Sequence, residues 1–325
     1  MAFRKRRDGI FLKRLPAFRR IFPYLMPTRT ESLIYFGHTV DMTGAVAYLS
    51  RVNGRERGRN RITLFHLFLC ATARTLLLRP ELNRFVAGRR IYQHREISLT
   101  FIVKKVFTEE ADESNARIVF TGAETPAEVR DLLRPKLETA RSAAKGADDK
   151  LIDTVAALPR PLSNLIARLI RFLDYHNILP RFLMEAIPLY TSVYLANLGS
   201  IGLGAPFHHL YEFGSASLFL VIGKLHKKPV VDTRGRVVPR DCLDISVTLD
   251  ERITEGFYAA RSIALFAALL EQPELLEKPK LTLEEILAEN RDDPVRQGRK
   301  TGSTHPAAEK RSRSRRSGAS RVTRR

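Results

Sequence analysis

The sequence predicts an α+β domain, a mixed β-sheet covered by helices. Three observations predict it. Short aromatic and β-branched segments mingle with helical ones without strict βα alternation. Two strand segments are apolar nearly throughout, as central strands buried on both faces are. And 325 residues with a hydrophobic fraction of 44% can bury one sizeable core, which excludes a chain disordered throughout.

The elements follow in order. Ser32–Asp41 is short, aromatic and β-branched, and predicts a strand. Ile62–Arg79 is apolar at helical spacing and ends before Pro80; His66 and Cys70 on it are expected to be structural. Arg90–Lys105 predicts two strands around a turn, and Arg117–Thr121 another strand. Thr125–Ala144 opens with Thr125, Pro126 and Glu128, an N-cap, N1 and N3 set for a polar helix. In Pro161–Leu173, Leu162, Leu165, Ile166, Leu169, Ile170 and Leu173 form one helical stripe. That stripe suits packing on the body, a lid, or a membrane-facing helix. Tyr190–Leu198, Ser215–Gly223 and Leu243–Leu249 predict strands, with a hairpin turn at TRGR between the last two. A final helix starts after Gly256 and runs to about Leu270.

The formal charge of +20 is unevenly spread. Residues 1–30 hold nine basic residues against Asp8, and residues 290–325 hold twelve against Asp292, Asp293 and Glu309. The body, 31–289, is near neutral. This divides the chain into a basic aromatic arm (1–30), a domain (31–289) and a basic tail (290–325) too poor in large apolar residues to fold. The arm mixes Arg and Lys with Phe and Leu, which suits an anionic membrane surface as well as packing onto the body. The tail suits a solubilising role or an arm for nucleic acid or anionic lipid. No signal peptide or transmembrane span is legible, so the expected location is cytoplasmic, with peripheral contact at the inner membrane surface left open. Two cysteines, Cys70 and Cys242, exclude a disulfide scaffold and a cysteine zinc module. No phosphate-binding loop, dinucleotide fingerprint or GxSxG elbow is present, and no metal is expected.

Three ordered segments carry a resemblance: RPELN with GRRIYQHREISLTFIVKK, ANLGSIG from Ala196, and LDISVTLDERITEGFYAAR from Leu243 to Arg261. Together they resemble the catalytic domain of the acyltransferase component of 2-oxoacid dehydrogenase complexes, over about residues 30–280. The resemblance implies a chloramphenicol-acetyltransferase-like two-layer sandwich. It implies coenzyme A or acyl-CoA as cofactor, and a homotrimer with its channel between subunits. The chain looks most like stand-alone bacterial homologues that also carry DER and HHLYE. No lipoyl attachment site is legible.

The overlay also shows departures. The family's D-H-R-x-x-D-G segment reads Asp250, Glu251, Arg252 and, further on, Glu255 and Gly256, so Glu251 stands at the general-base His position. The family's Ser/Thr hydroxyl, which steadies the oxyanion, falls on Ala196. A thiol near pKa 8.5 is poorly matched to a carboxylate near 4.3. His208 and His209 are therefore candidate substitute bases, with structural histidines as the other reading. Arg252 and Glu255 are expected to hold the loop by ion pairing. Asn197, Gly199 and Ser200 are expected in the cofactor channel wall. Two functions follow: an acyl-CoA-dependent acyltransferase, or an inactive acyltransferase fold serving as a trimeric scaffold, associated with membrane or nucleic acid through its basic ends.

Overall fold

The computed structural model describes residues 5–54, 56, 58–104, 113–141, 153–232 and 234–289. The basic tail lies outside the described residues.

In chain order the strands are β1 (Gly9–Phe11), β2 (Leu33–Asp41), β3 (Arg84–Ala87), β4 (Arg90–His94), β5 (Ile97–Lys104), β6 (Glu113–Phe120), β7 (Val193–Asn197), β8 (Leu218–Val231) and β9 (Val237–Asp250). The helices are α1 (Ala17–Leu25), α2 (Thr43–Val52), α3 (Leu64–Leu78), α4 (Pro126–Arg141), α5 (Arg160–Tyr175), α6 (Arg181–Ala186), α7 (Gly256–Glu271) and α8 (Leu283–Glu289). Six strands form one sheet in the order β2-β9-β8-β7-β5-β6, and β1-β4-β3 form a second. β7 runs parallel to both β5 and β8, while the other pairs are antiparallel, so the large sheet is mixed.

α3, α4 and α7 cover one face of the large sheet. α3 is apolar nearly all round because it is the middle of that layer, with neighbours on every side. Its N-terminus is closed by Thr63 and His66: His66 Nδ1 accepts from the Thr63 amide at 2.9 Å. Arg74, fully buried within α3, donates to the carbonyls of Gly122, Glu124 and Lys278. Cys70 is buried and its thiol is pushed up to about 12 by burial, as an inert core residue requires. α4 carries the expected cap, with the Thr125 amide donating to Glu128 at 2.7 Å.

The central strands behave as their apolar runs predict. In β8, Leu218, Leu220 and Ile222 enter the main core, while Phe219 and Val221 enter a smaller cluster on the opposite face with Tyr194 of β7. That second face is covered by the irregular segment 203–211. Ser246 and Thr248 of β9 donate to the carbonyls of Pro206 and His208, which fastens the segment across the sheet.

Several elements exceed the expectation. β8 and β9 continue past Gly223 as a paired ribbon to Val231 and Val237, beyond a register shift between Ile222 and Leu225. Lysines and prolines break the apolar run there, and cross-strand hydrogen bonding alone extends the strands. α2 was not legible because it is short and carries Gly44, yet a Cβ at Gly44 would collide with the Glu271 carbonyl at the end of α7. The arm also has more structure than its composition shows. β1 adds to β4, and Arg6 is buried against Asp8 and Asp174 at 2.6 and 2.7 Å. Its guanidinium also lies over the Phe85 ring.

His66 and His94 are both buried and held neutral. Burial lowers their pKa values to about 4 and about 3, from 6.5. Below about pH 6.5 the unfolded chain takes up protons at these rings and the folded chain does not. Stability therefore falls as pH drops from about 6.5 toward 4, by about 1.4 kcal/mol per pH unit for each histidine. Urea unfolding at pH 7 and pH 5 measures this, and His94→Gln is expected to flatten the acid limb.

Candidate functional site

The segment Asp250–Gly256 leaves β9 and turns into α7. Its geometry begins with Asp250, whose carboxylate is fully buried. It accepts from Arg252 Nε at 2.8 Å, Arg252 Nη2 at 2.7 Å, the Arg252 amide and Ser32 Oγ. A planar guanidinium and a carboxylate two residues apart thus close the loop with paired charge-assisted bonds. The remaining Arg252 nitrogen, Nη1, donates to the Met26 carbonyl at 3.0 Å.

The arm grips the same loop from outside. Arg19 Nη1 donates to the carbonyls of Glu251 and Thr254 at 3.0 and 2.9 Å. The Glu251 amide donates to the Ser32 carbonyl. Thr254 donates to Glu81, and Arg84 to the Ile253 carbonyl. Arg29 is buried beside Asp250 and Arg252, and donates to the carbonyls of Tyr211 and Gly214. Burial lowers the Arg29 pKa, with the neighbouring Asp250 acting against it. Sequence reasoning missed Arg19 and Arg29, because in a run of arm arginines nothing in the spacing separates these two.

The backbone of the loop is therefore fixed, while the half-buried Glu251 carboxylate has no hydrogen-bond or ion-pair partner among the described residues. Arg252 forms the expected ion pair. Glu255 does not: it is exposed, and its carboxylate forms no ion pair among the described residues. Only its carbonyl is used, accepting from the Ala259 amide at the start of α7.

His208 lies flat on the Phe219 ring, with centroids 3.9 Å apart. Its Nδ1 donates to the His209 carbonyl at 2.7 Å, which leaves Nε2 as the basic nitrogen of the neutral ring. Because Thr248 fastens the His208 carbonyl, His208 sits near the Asp250 end of β9. His209 is exposed.

Asn197, Gly199 and Ser200 build a tight turn after β7. Asn197 Oδ1 accepts from the Ser200 amide, and Ser200 Oγ donates to the Asn197 carbonyl at 2.7 Å. Gly199 presses on the β8 bulge so closely that a Cβ would meet the Gly223 carbonyl. The register puts this turn far from Glu251. Asn197 aligns with Ile222, which aligns with Ile245, five residues before Asp250. At about 3.4 Å per residue that is roughly 17 Å along the sheet. One chain thus holds the two groups of expected site residues well apart along its sheet.

A cavity of about 760 Å³ opens elsewhere, among α2, α3 and α4, lined by Arg61, His66, Arg130 and Arg134 with an apolar floor. None of the expected site residues lines it.

Comparison with known proteins bears on residues 191–277, which match the family model of the 2-oxoacid dehydrogenases acyltransferase (catalytic domain). The fold is that of the acyltransferase core. Over 82% of this chain and 95% of theirs, two solved structures superpose: the Azotobacter vinelandii dihydrolipoamide acetyltransferase (TM-score 0.55, 18% identity) and the cubic core of a pyruvate dehydrogenase multienzyme complex (TM-score 0.54, 18% identity). A probable dihydrolipoamide acetyltransferase from Listeria monocytogenes 4b F2365 superposes with TM-score 0.53 at 17% identity, over 80% of this chain and 94% of that one. The mitochondrial lipoamide acyltransferase component of the branched-chain alpha-keto acid dehydrogenase complex of Arabidopsis thaliana is 29% identical over 87 residues. That match spans 26% of this chain and 17% of the relative's length. The resemblance read from the ANLG and DERITEG segments thus agrees with the family match, and the α+β sandwich with the superpositions. Among the described residues, no helix is long and apolar enough to cross a membrane.

Proposed function

We propose that the chain is a CoA-dependent acyl-transfer protein resembling the 2-oxoacid dehydrogenase acyltransferases, with its channel completed between subunits of a homotrimer. The observation that carries this reading is the loop after β9. Its backbone is locked by Arg19, Ser32 and the Asp250–Arg252 pair, and one carboxylate, Glu251, is left without a partner among the described residues. A fixed backbone beneath an unengaged acid–base group is the arrangement a catalytic side chain needs. The 17 Å offset between Glu251 and the Asn197–Ser200 turn supports a site shared by two subunits. In a trimer, Asn197, Gly199 and Ser200 of one subunit would line the channel that Glu251 of another enters.

Acyl transfer needs a group to take the acceptor's proton and a donor for the developing oxyanion. A carboxylate is a weaker base toward a thiol than an imidazole is. His208, whose Nδ1 donates to the His209 carbonyl, presents Nε2 as its acceptor nitrogen. Ala196 supplies no hydroxyl, and loss of one oxyanion donor costs about 10²–10³ in rate. A slow transferase, or an acceptor other than a thiol, follows from both.

Calorimetry of the full chain with acetyl-CoA and CoA tests the reading. Bound ligand at 100 times Kd is expected to raise stability by about 2.7 kcal/mol. Glu251→Gln is expected to keep that binding and lower turnover at least tenfold. Absence of binding at millimolar ligand would sink the proposal. The second reading, an inactive trimeric scaffold, is favoured by the methyl group of Ala196 at the hydroxyl position. It predicts no turnover in either form with the oligomer intact.

A further inference from the structure

Two helices expose apolar stripes that no described residue covers. α5 has no fully buried residue: Ile166, Ile170 and Leu173 are half-buried, while Leu165, Leu169 and Phe172 are 61%, 52% and 56% exposed. α1 exposes Phe18 and Leu25 at 69% and 65%. These are helical spacings, so each set forms a line rather than scattered surface residues.

The two helices flank one structure, the tip of the β3–β4 hairpin. Arg89 at that tip stacks over Tyr24 of α1. Gly88, at φ 53°, is pressed against the Tyr175 carbonyl at the end of α5, where a Cβ would collide. The C-terminal ends of the two helices therefore meet at one place on the surface.

The exposed charges carried by α1, the hairpin tip and α5 have one sign. Arg20 of α1, Arg89, and Arg168 and Arg171 of α5 are exposed. α1 contains no acidic residue, and the one acid of α5, Asp174, is taken up by Arg6. Placing this face against the same face of a second copy, as a two-fold contact would, opposes arginine to arginine. Its complement is a partner that is apolar in depth and anionic at its boundary. Both helices are too short and too charged to cross a bilayer.

We propose that α1 and α5, joined by the β3–β4 tip, form a docking surface for an anionic phospholipid bilayer. The leucine and phenylalanine side chains enter the headgroup–acyl boundary, and the arginines stay at phosphate level. This surface lies in the folded domain, distinct from the basic tail, and it does not rest on the acyl-transfer reading.

The test is co-sedimentation of the full chain with phosphatidylcholine vesicles, with and without phosphatidylserine. Binding is expected only with phosphatidylserine and is expected to weaken with salt. The double variant L165E/L169E is expected to lose about tenfold or more in partitioning with its unfolding curve unchanged. F18S is expected to lose less, and R168E/R171E is expected to abolish the preference for the anionic lipid. Equal binding by L165E/L169E would assign the attraction to the basic tail and overturn the proposal. So would absence of vesicle binding, or a wild-type chain that ignores vesicles and dissociates into smaller species on the L165E/L169E change, which would make this face a contact between copies.

Discussion

Removing residues 1–30 is expected to unfold the protein or to lower its stability by about 5 kcal/mol or more, against a typical total of about 5–15 kcal/mol. The arm is stitched into the body at four places. β1 hydrogen-bonds to β4, and Arg6 neutralises Asp174 from a fully enclosed position. Arg29 fills a buried site against the carbonyls of Tyr211 and Gly214. Arg19 and the Met26 carbonyl hold the loop after β9. Breaking a buried ion pair by removing one partner costs about 3–5 kcal/mol, because the remaining charge stays buried. Here Asp174 would lose Arg6, and Arg252 would lose an acceptor. Urea unfolding of the chain with and without residues 1–30 measures the effect. An unchanged midpoint would show the arm to be an appendage.

The second large effect is expected at Asp250. In Asp250→Ala, Arg252 and Arg29 remain buried side by side with no anion between them. Arg252 loses three hydrogen bonds to one carboxylate. Ser32 loses one of its three hydrogen-bond partners, keeping the carbonyls of Thr28 and Arg29. The expected loss is about 3–5 kcal/mol. The adjacent Glu251→Gln is expected to change stability by less than about 0.5 kcal/mol, since its side chain has no partner among the described residues. The two variants together separate the loop's scaffold from its chemistry. A cost below about 1 kcal/mol at Asp250 would mean that the arm alone holds the loop.

These two expectations concern neighbours in sequence that were legible to different degrees. The segment DERITEG was recognisable from its residue order, as was ANLG, and the family match over residues 191–277 agrees with both. Order and spacing carry such motifs because they are local. The Arg252 ion pair is also local, two residues from Asp250, and it was foreseen. The Glu255 ion pair was not formed, because after the loop turns into α7 its carboxylate faces water.

The apolar runs of β7 and β8 announced strands buried on both faces, since only a central strand needs apolar residues at every position. The helix Leu64–Leu78 and the capped start of α4 were legible for the same kind of reason: burial and capping write themselves into three- and four-residue spacings. What no spacing contained was pairing between distant segments. β1 and the outer ribbon of β8 and β9 are strands only because a partner accepts their hydrogen bonds. Arg6, Arg19 and Arg29 read as three more charges in a basic arm would, yet Arg6 and Arg29 are buried and Arg19 ties down the loop. Composition counts a guanidinium the same way whether it meets water or a carbonyl. Only the tertiary structure decides which, because the desolvation cost of a buried charge is met by acceptors from segments more than a hundred residues away. The same holds for the site. Sequence named Glu251 for the base position and the Asn197–Ser200 turn for the channel wall, but not the distance between them within one chain. The register of β7, β8 and β9 sets them about 17 Å apart along the sheet, since strand order and direction, not sequence distance, determine which residues meet.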